Sequence, residues 1–317
     1  MADTLRLGIS SCLLGNKVRY NGGHQLDRYL THTLGKFVEY VPICPEVGCG
    51  MPIPREPVRL VGDIDNPRLV GRQSGTDWTK VMQSWAEKEL KALNDQNLCG
   101  FIFKAKSPSS GMARVKVYPP EGGQPRYDGQ GLFASMFMKQ FPLLPVEDDG
   151  RMHDPILREN FITRVFTMKR WRDMLAKGKT TGNLVKFHTQ HKLLLMSCSV
   201  EAYRTLGKMV ATAAKHKPEQ LFDGYLTQLL KALSLKSTIK KNINVLQHAL
   251  GYFKKDLSAD EKQECLGLFE SYRDGHVPRI VPITLLNHYV RKYDKQYLAS
   301  QVYLNQHPTE LRLLNHA

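Results

Sequence analysis

The chain has no apolar run near the roughly 18 residues that a membrane-spanning helix requires, so no membrane-embedded reading starts from it. Its opening residues, Met1-Ala2-Asp3-Thr4, begin no signal peptide, and a soluble cytoplasmic protein is the expectation. Six cysteines in 317 residues without a secretory signal do not make a disulfide framework, which leaves the clustered ones as ligands or nucleophiles. Neither an internal repeat nor a low-complexity segment is present. Acid is also scarce: 30 Asp and Glu stand against 45 Lys and Arg, a net charge of +15. Residues 1–165 carry 21 basic against 18 acidic side chains, and residues 166–317 carry 24 against 12, so the excess sits in the C-terminal half. Such asymmetry points to a polyanion, and nucleic acid is the commonest one in a cytoplasm; a merely solubilising surface is the plainer alternative.

Apolar, strand-like runs recur at residues 5–10, 37–43, 99–104 and 143–147, separated by helical stretches at 25–34, 77–93 and 131–140. This βαβ rhythm predicts a doubly wound, mostly parallel α/β sheet. Asp77 is placed to cap a helix whose apolar face is Trp78, Val81, Met82, Trp85, Leu90 and Leu93. Beyond Pro155 strands disappear, and a connecting helix (155–175) leads to an all-α region with helices at 191–216, 219–234, 237–255, 259–273 and 282–303. Ser258-x-x-Glu261 has the form of a capping box. The expected domains are therefore 1–165, catalytic, and 166–317, helical and basic.

Chemistry concentrates in Ile43-Cys44-Pro45-Glu46-Val47-Gly48-Cys49-Gly50, where two thiols and a carboxylate follow a strand among residues that discourage a helix. Cys12 follows another strand, so three thiols at strand ends can meet. Buried packing, a zinc site and an iron–sulfur cluster compete for them. A zinc deaminase would show His-x-Glu and Pro-Cys-x-x-Cys, and neither occurs. Three thiolates on a cubane leave one iron open. Cys99, Cys198 and Cys265 lie in apolar segments as packing residues. The loop Lys104-Ala105-Lys106-Ser107-Pro108-Ser109-Ser110-Gly111, again after a strand, suits an anion or polar substrate through Lys104, Lys106, Ser109 and Ser110, or is an ordinary turn. Gly129-Gln130-Gly131-Leu132-Phe133-Ala134 has a dinucleotide-binding form but follows a polar turn instead of a strand. In the basic half, Lys169, Arg170, Arg172, Lys240, Lys241, Lys254, Lys255, Arg291 and Lys292 are candidates for phosphate contacts, and the Tyr289, Tyr293, Tyr297 stripe is either a base-stacking face or a packing seam.

Ser10-Ser11-Cys12-Leu13-Leu14-Gly15, Arg19-Tyr20-Asn21-Gly22, Cys44-Pro45-Glu46, Pro54-Arg55-Glu56-Pro57 and Lys106-Ser107-Pro108-Ser109, in that order, resemble the thiouracil desulfidase family. Residues 244–254 and 281–286 resemble the helical domain often fused to it, and the fused form is similar to bacterial tRNA 4-thiouridine desulfidases. The resemblance implies a 4Fe-4S cluster held by three cysteines, whose open iron takes the thiocarbonyl sulfur and from which sulfide is released hydrolytically. It implies Glu46 as acid/base or water-activating carboxylate and Ser107 as proton donor or positioner. It also implies tRNA containing 4-thiouridine as partner, with no DNA. The family's third cysteine position holds Ser110 here, and Cys49 is the expected replacement, giving Cys12, Cys44 and Cys49 as ligands. Action on free thiouracil bases or nucleosides, and a non-catalytic sensor of thiolated RNA, are the rival readings.

Overall fold

In a computed structural model of the chain, residues 4–315 are described, and they divide into two compact units between Leu157 and Arg158. The first unit is built on a four-stranded, all-parallel sheet in the order β2-β1-β5-β8: β1 Arg6–Ser10, β2 Glu39–Ile43, β5 Phe101–Phe103 and β8 Val146–Asp148. These are the four apolar runs read from the sequence. Short helix α1 (Pro45–Gly48) follows β2, and α2 (Thr79–Asn94) and α3 (Leu132–Gln140) lie between later strands. The expected cap is displaced by one residue: Trp78 holds the N-cap position of α2 with no side-chain capping bond, and Asp77, just ahead of it, accepts the backbone N–H of Thr79 through Oδ1 at 2.9 Å. Met82, Leu90 and Leu93 of α2 are buried, whereas Val81 faces solvent.

The order places a switch point beside β1, where the chain first winds outward to β2 and then returns to pair β5 on the other side. Open parallel sheets put ligands outside the carboxyl ends of their strands at such a point. Close pairing of β1 and β5 depends on Gly8, because a Cβ there would lie 2.2 Å from the Phe101 ring. Phe101, Phe103, Phe133 and Phe137 form the aromatic centre of the core, with Phe101 and Phe103 stacked at 4.3 Å.

A second sheet, β4-β3-β6-β7, was not expected: β3 Val58–Gly62, β4 Pro67–Gly71, β6 Val115–Tyr118 and β7 Arg126–Gly129, with two antiparallel pairings and one parallel. The helix expected over 25–34 forms only in its second half, and not as an α-helix. A single wide turn at Tyr29–Thr33 and a tight one at Leu34–Lys36 stand there, fixed by Asp27 Oδ1 accepting Leu30 N–H and by Tyr40 Oη donating to the Leu30 carbonyl.

The second unit is all helical: α4 Pro155–Ala176, α5 Thr181–Cys198, α6 Val200–Ala211, α7 Pro218–Leu233, α8 Ile239–Leu250, α9 Ala259–Arg273, α10 Ile280–Lys292 and α11 Gln296–Ala299. The long helix expected over 191–216 is two, parted at Ser199, whose extended backbone and Ala202-capping hydroxyl start a new helix. The one expected over 282–303 also breaks, at Asp294, which has φ +47°. The capping box of Ser258 and Glu261 is formed. Buried Arg279 is ion-paired with Glu159 and donates to Asn242 Oδ1 at 3.1 Å, tying α10's start to α4 and α8. No helix among the described residues is long and apolar enough to cross a membrane.

Candidate active site

A cavity of about 400 Å³ opens at the carboxyl ends of β1, β2 and β5, lined by the loops that leave them. Cys12 enters from the turn after β1, Cys44 and Glu46 from the β2 end, and Lys104, Lys106, Ser107, Ser109 and Ser110 from the loop after β5. The structure thus brings nearly all the sequence-predicted catalytic-domain residues to one place.

Cys49 is the departure. Pro45 does not keep this segment from helical form but starts α1 as its first residue, a position where its missing N–H costs nothing. At about 100° per residue, five residues turn Cys49 roughly 140° away from Cys44. Its side chain joins the apolar cluster, with Sγ donating to the Glu46 carbonyl at 3.3 Å, and it does not line the cavity. Among the described residues no three His, Cys, Asp or Glu side chains converge as a single metal ion would require, which counts against zinc. A polynuclear cluster presents its irons at separate corners and asks no such convergence of its thiolates.

The cavity's electrostatics are set by burial. Cys12 is pushed up to about 11 by desolvation, with the Cys44 charge adding and Lys104 and Arg19 opposing. Burial also raises the Cys44 thiol, against the N–H groups of Val47 and Glu46, which favour its thiolate. Lys104 pairs with Asp149 at 2.8 Å, while the Ala105 N–H donates to the other Asp149 oxygen at 2.6 Å. Cations beside two thiols suit a negatively charged, sulfur-ligated group.

Glu46 is held more firmly than the sequence could say. Arg55, whose side chain is 5% exposed, donates Nε to Glu46 Oε2 at 3.0 Å and Nη2 to the same oxygen at 2.5 Å, and its Nη2 and Nη1 also reach the Val18 and Pro52 carbonyls. The other oxygen, Oε1, accepts from Ser109 Oγ at 2.8 Å. Arg55 is a site residue that sequence reasoning left without a role, although it stands in the quoted Pro-Arg-Glu-Pro motif.

The glycine motif before α3 serves this loop and no dinucleotide. Gly131 N donates to the Gly111 carbonyl, and the N–H groups of Leu132, Phe133 and Ala134 are taken by the carbonyls of Pro108 and Ser109. A Cβ on Gly131 would lie 2.6 Å from the Ser109 carbonyl carbon and 2.7 Å from Gly111 N. Gly131→Ala must therefore displace backbone; a loss of about 1–3 kcal/mol is expected in chemical unfolding, with activity falling further than stability because the serines move.

In the helical unit the basic candidates separate. Lys169 is ion-paired with Asp173, Lys241 donates to the Cys198 carbonyl at 2.6 Å, and Lys292 pairs with Glu261 at 2.6 Å. Arg170 is lowered to about 10 by burial, and its guanidinium holds the Gln306 carbonyl, so it is part of the interior. Arg172 is half-buried. Lys240, Lys254, Lys255 and Arg291 are exposed and make no ion pair among the described residues. The tyrosine stripe is a packing seam at Tyr289 and Tyr293, which donate to Glu264 and Glu261; Tyr297 instead stacks on exposed Tyr252 at 4.9 Å.

Comparison with known proteins bears on this arrangement. The chain is 33% identical over 108 residues to the uncharacterized protein YbbK of Bacillus subtilis (strain 168), covering 71% of it and 32% of this chain. The family described as 2-thiouracil desulfurase matches residues 7–149. The chain belongs to the 2-thiouracil desulfurase family. The match ends at Asp149, the partner of Lys104, so the family region contains the whole cavity lining. A family described as protein of unknown function (DUF1722) matches residues 192–308. The uncharacterized protein YbgA of Escherichia coli (strain K12) is 28% identical over 156 residues, 49% of this chain and 92% of that one. A solved structure of the 4Fe-4S-dependent thiouracil desulfidase TudS is 27% identical and covers 48% of this chain and 95% of its own, with a TM-score of 0.39.

Proposed function

We propose that the chain is an iron–sulfur-dependent desulfidase that converts 4-thiouridine in tRNA to uridine, releasing sulfide by hydrolysis. The observation carrying this reading is that two thiols, a clamped carboxylate and a serine loop share one cavity inside the region that belongs to the 2-thiouracil desulfurase family. Cys12 and Cys44 face the cavity and fit as holders of a 4Fe-4S cluster, with Lys104 and Arg19 near enough to favour the ionised form of Cys12. Cys49, behind α1, is proposed as third donor, since a thiol is the softer alternative to the Ser110 hydroxyl. When bound, the cluster supplies a soft iron that can take sulfur from a thiocarbonyl. In this reading Glu46, fixed by Arg55, takes a proton from water at the cavity it lines, and Ser107 gives one.

The choice of tRNA over a free base rests on the +12 charge of residues 166–317, together with exposed Lys240, Lys254, Lys255 and Arg291. Phosphate contacts release counterions, so affinity for a tRNA should fall steeply with salt, by on the order of 10³-fold or more between 50 and 200 mM if about six phosphates are engaged. The test sets anaerobically loaded protein against tRNA containing 4-thiouridine, free 4-thiouridine and free 2-thiouracil. Turnover of the tRNA with salt-sensitive binding supports the reading. Turnover of free bases alone moves the activity to the small substrates, and binding of thiolated tRNA without loss of its sulfur would make the protein a sensor.

A further inference from the structure

Ser107 Oγ lies 3.3 Å from the backbone N–H of Ser109 and 3.1 Å from that of Ser110, and both groups donate to it. Its own proton is therefore free to go elsewhere, and Ser109 Oγ, 3.1 Å away, can accept it. Ser109 Oγ is already committed as a donor, because its partner at 2.8 Å is Glu46 Oε1 and an ionised carboxylate can only accept. While Glu46 is ionised the direction of the chain is thus fixed by valence, Ser107 donating to Ser109 and Ser109 to Glu46. Once the carboxyl carries a proton both hydroxyls turn, so that Glu46 donates to Ser109, Ser109 to Ser107 and Ser107 to substrate. Arg55 occupies the opposite carboxylate oxygen, which leaves Oε1 to the serine.

We infer that Ser109 is a proton-relay residue that makes Glu46 and Ser107 the two ends of one device, so that a proton taken up at the carboxylate is delivered to substrate from Ser107. This rests on the desulfidase reading above and goes beyond it, since that reading treats the two groups as independent. The step balances. Glu46 takes a proton from the attacking water. As Ser107 gives its proton to the substrate atom that gathers charge, Ser109 gives its proton to Ser107 and the Glu46 carboxyl gives its proton to Ser109. One O–H bond breaks and one forms at each of the three oxygens, the carboxylate regains its charge, and one proton has moved from water to substrate.

The position is built for this. Ser109 is 1% exposed, so bulk water does not compete for its hydroxyl. Its backbone is held independently of the side chain, with its carbonyl accepting the N–H groups of Phe133 and Ala134 at the start of α3. Removing Oγ should therefore break the relay without moving the loop.

The experiment compares wild type, S107A, S109A and the double variant. On loaded protein acting on a thiolated uridine, S109A should lower kcat by about 100-fold, within the range for general acid–base groups, with the cluster's visible absorption retained. The double variant should be no slower than S107A, since the two serines act as one unit. Wild type should show a curved proton inventory in mixed H2O and D2O, the mark of several protons moving together. On cluster-free protein, infrared difference spectra should show the Glu46 carboxylate stretch shifted in S109A, and shifted in the same sense but less in S107A. A linear wild-type inventory, an unshifted carboxylate band in S109A, or additive losses in the double variant would each overturn the relay. Should wild type release no sulfide from any thiolated uracil, the proposed function fails, while the infrared shifts still decide whether the hydrogen-bonded chain exists.

Discussion

Replacing Cys44 with Ala is expected to leave the fold intact and remove all iron and acid-labile sulfide from the anaerobically reconstituted protein. Cys44 precedes α1 as a half-buried residue whose Sγ lies 3.9 Å from the Val18 carbonyl and otherwise meets the N–H groups of Val47 and Glu46, so losing the sulfur costs little packing. What it costs is a donor. Only Cys12 would remain among the cysteines that line the cavity, and one thiolate does not hold a cubane. Cys12→Ala should match it. Cys49→Ala is the informative companion, because this thiol sits in the apolar cluster and must be brought forward from behind α1 to serve as a ligand. Loss of the cluster as complete as in Cys44→Ala makes Cys49 the third donor despite its place in the core. Retained visible absorption excludes it and directs attention to Ser110, which already lines the cavity. Circular dichroism separates either result from unfolding.

The different fate of Cys44 and Cys49 shows where sequence reading ends. The central strands β1 and β5 are legible because buried parallel strands are apolar on both faces, and the ligand loops could be placed at their carboxyl ends from topology alone. Val115-Lys116-Val117-Tyr118, in contrast, shows the alternation of a half-exposed strand, with Lys116 outward and Val115 and Val117 buried. That signal was available and would have revealed one strand of the second sheet. The direction of Cys49 was not, since it depends on whether Pro-Glu-Val-Gly closes one helical turn. The bond from Ser109 to Glu46 spans 63 residues and has no local sequence signature. In the helical half, the run Lys169-Arg170-Trp171-Arg172 reads as a basic patch, yet Trp171 is buried and the Arg170 guanidinium is held on the Gln306 carbonyl. Charge composition locates the basic excess in one half of the chain; it does not say which of its lysines are free on the surface.

Glu46→Gln is expected to keep the cluster and lower kcat by about 10²- to 10⁴-fold, the span associated with removal of a general acid–base group. Gln preserves the volume and one accepting oxygen, so the cavity stays shaped, but it cannot take a proton from water and return it through Ser109. The substitution also removes the anion that faces Arg55, a guanidinium with little access to solvent, and an uncompensated buried charge costs about 3–5 kcal/mol. Stability and rate must therefore be separated. Assays well below the measured melting temperature, on protein with full cluster absorption, isolate the chemical loss. Adding Arg55→Met to Glu46→Gln removes the orphaned charge and should recover part of the stability, since an apolar replacement of a buried ion pair is often neutral, while the rate stays low. If turnover returns together with stability, the carboxylate serves only to anchor Arg55 and has no part in moving protons. If Glu46→Gln alone turns over like wild type with its cluster in place, water is activated elsewhere in the cavity and the carboxylate loses its assigned role.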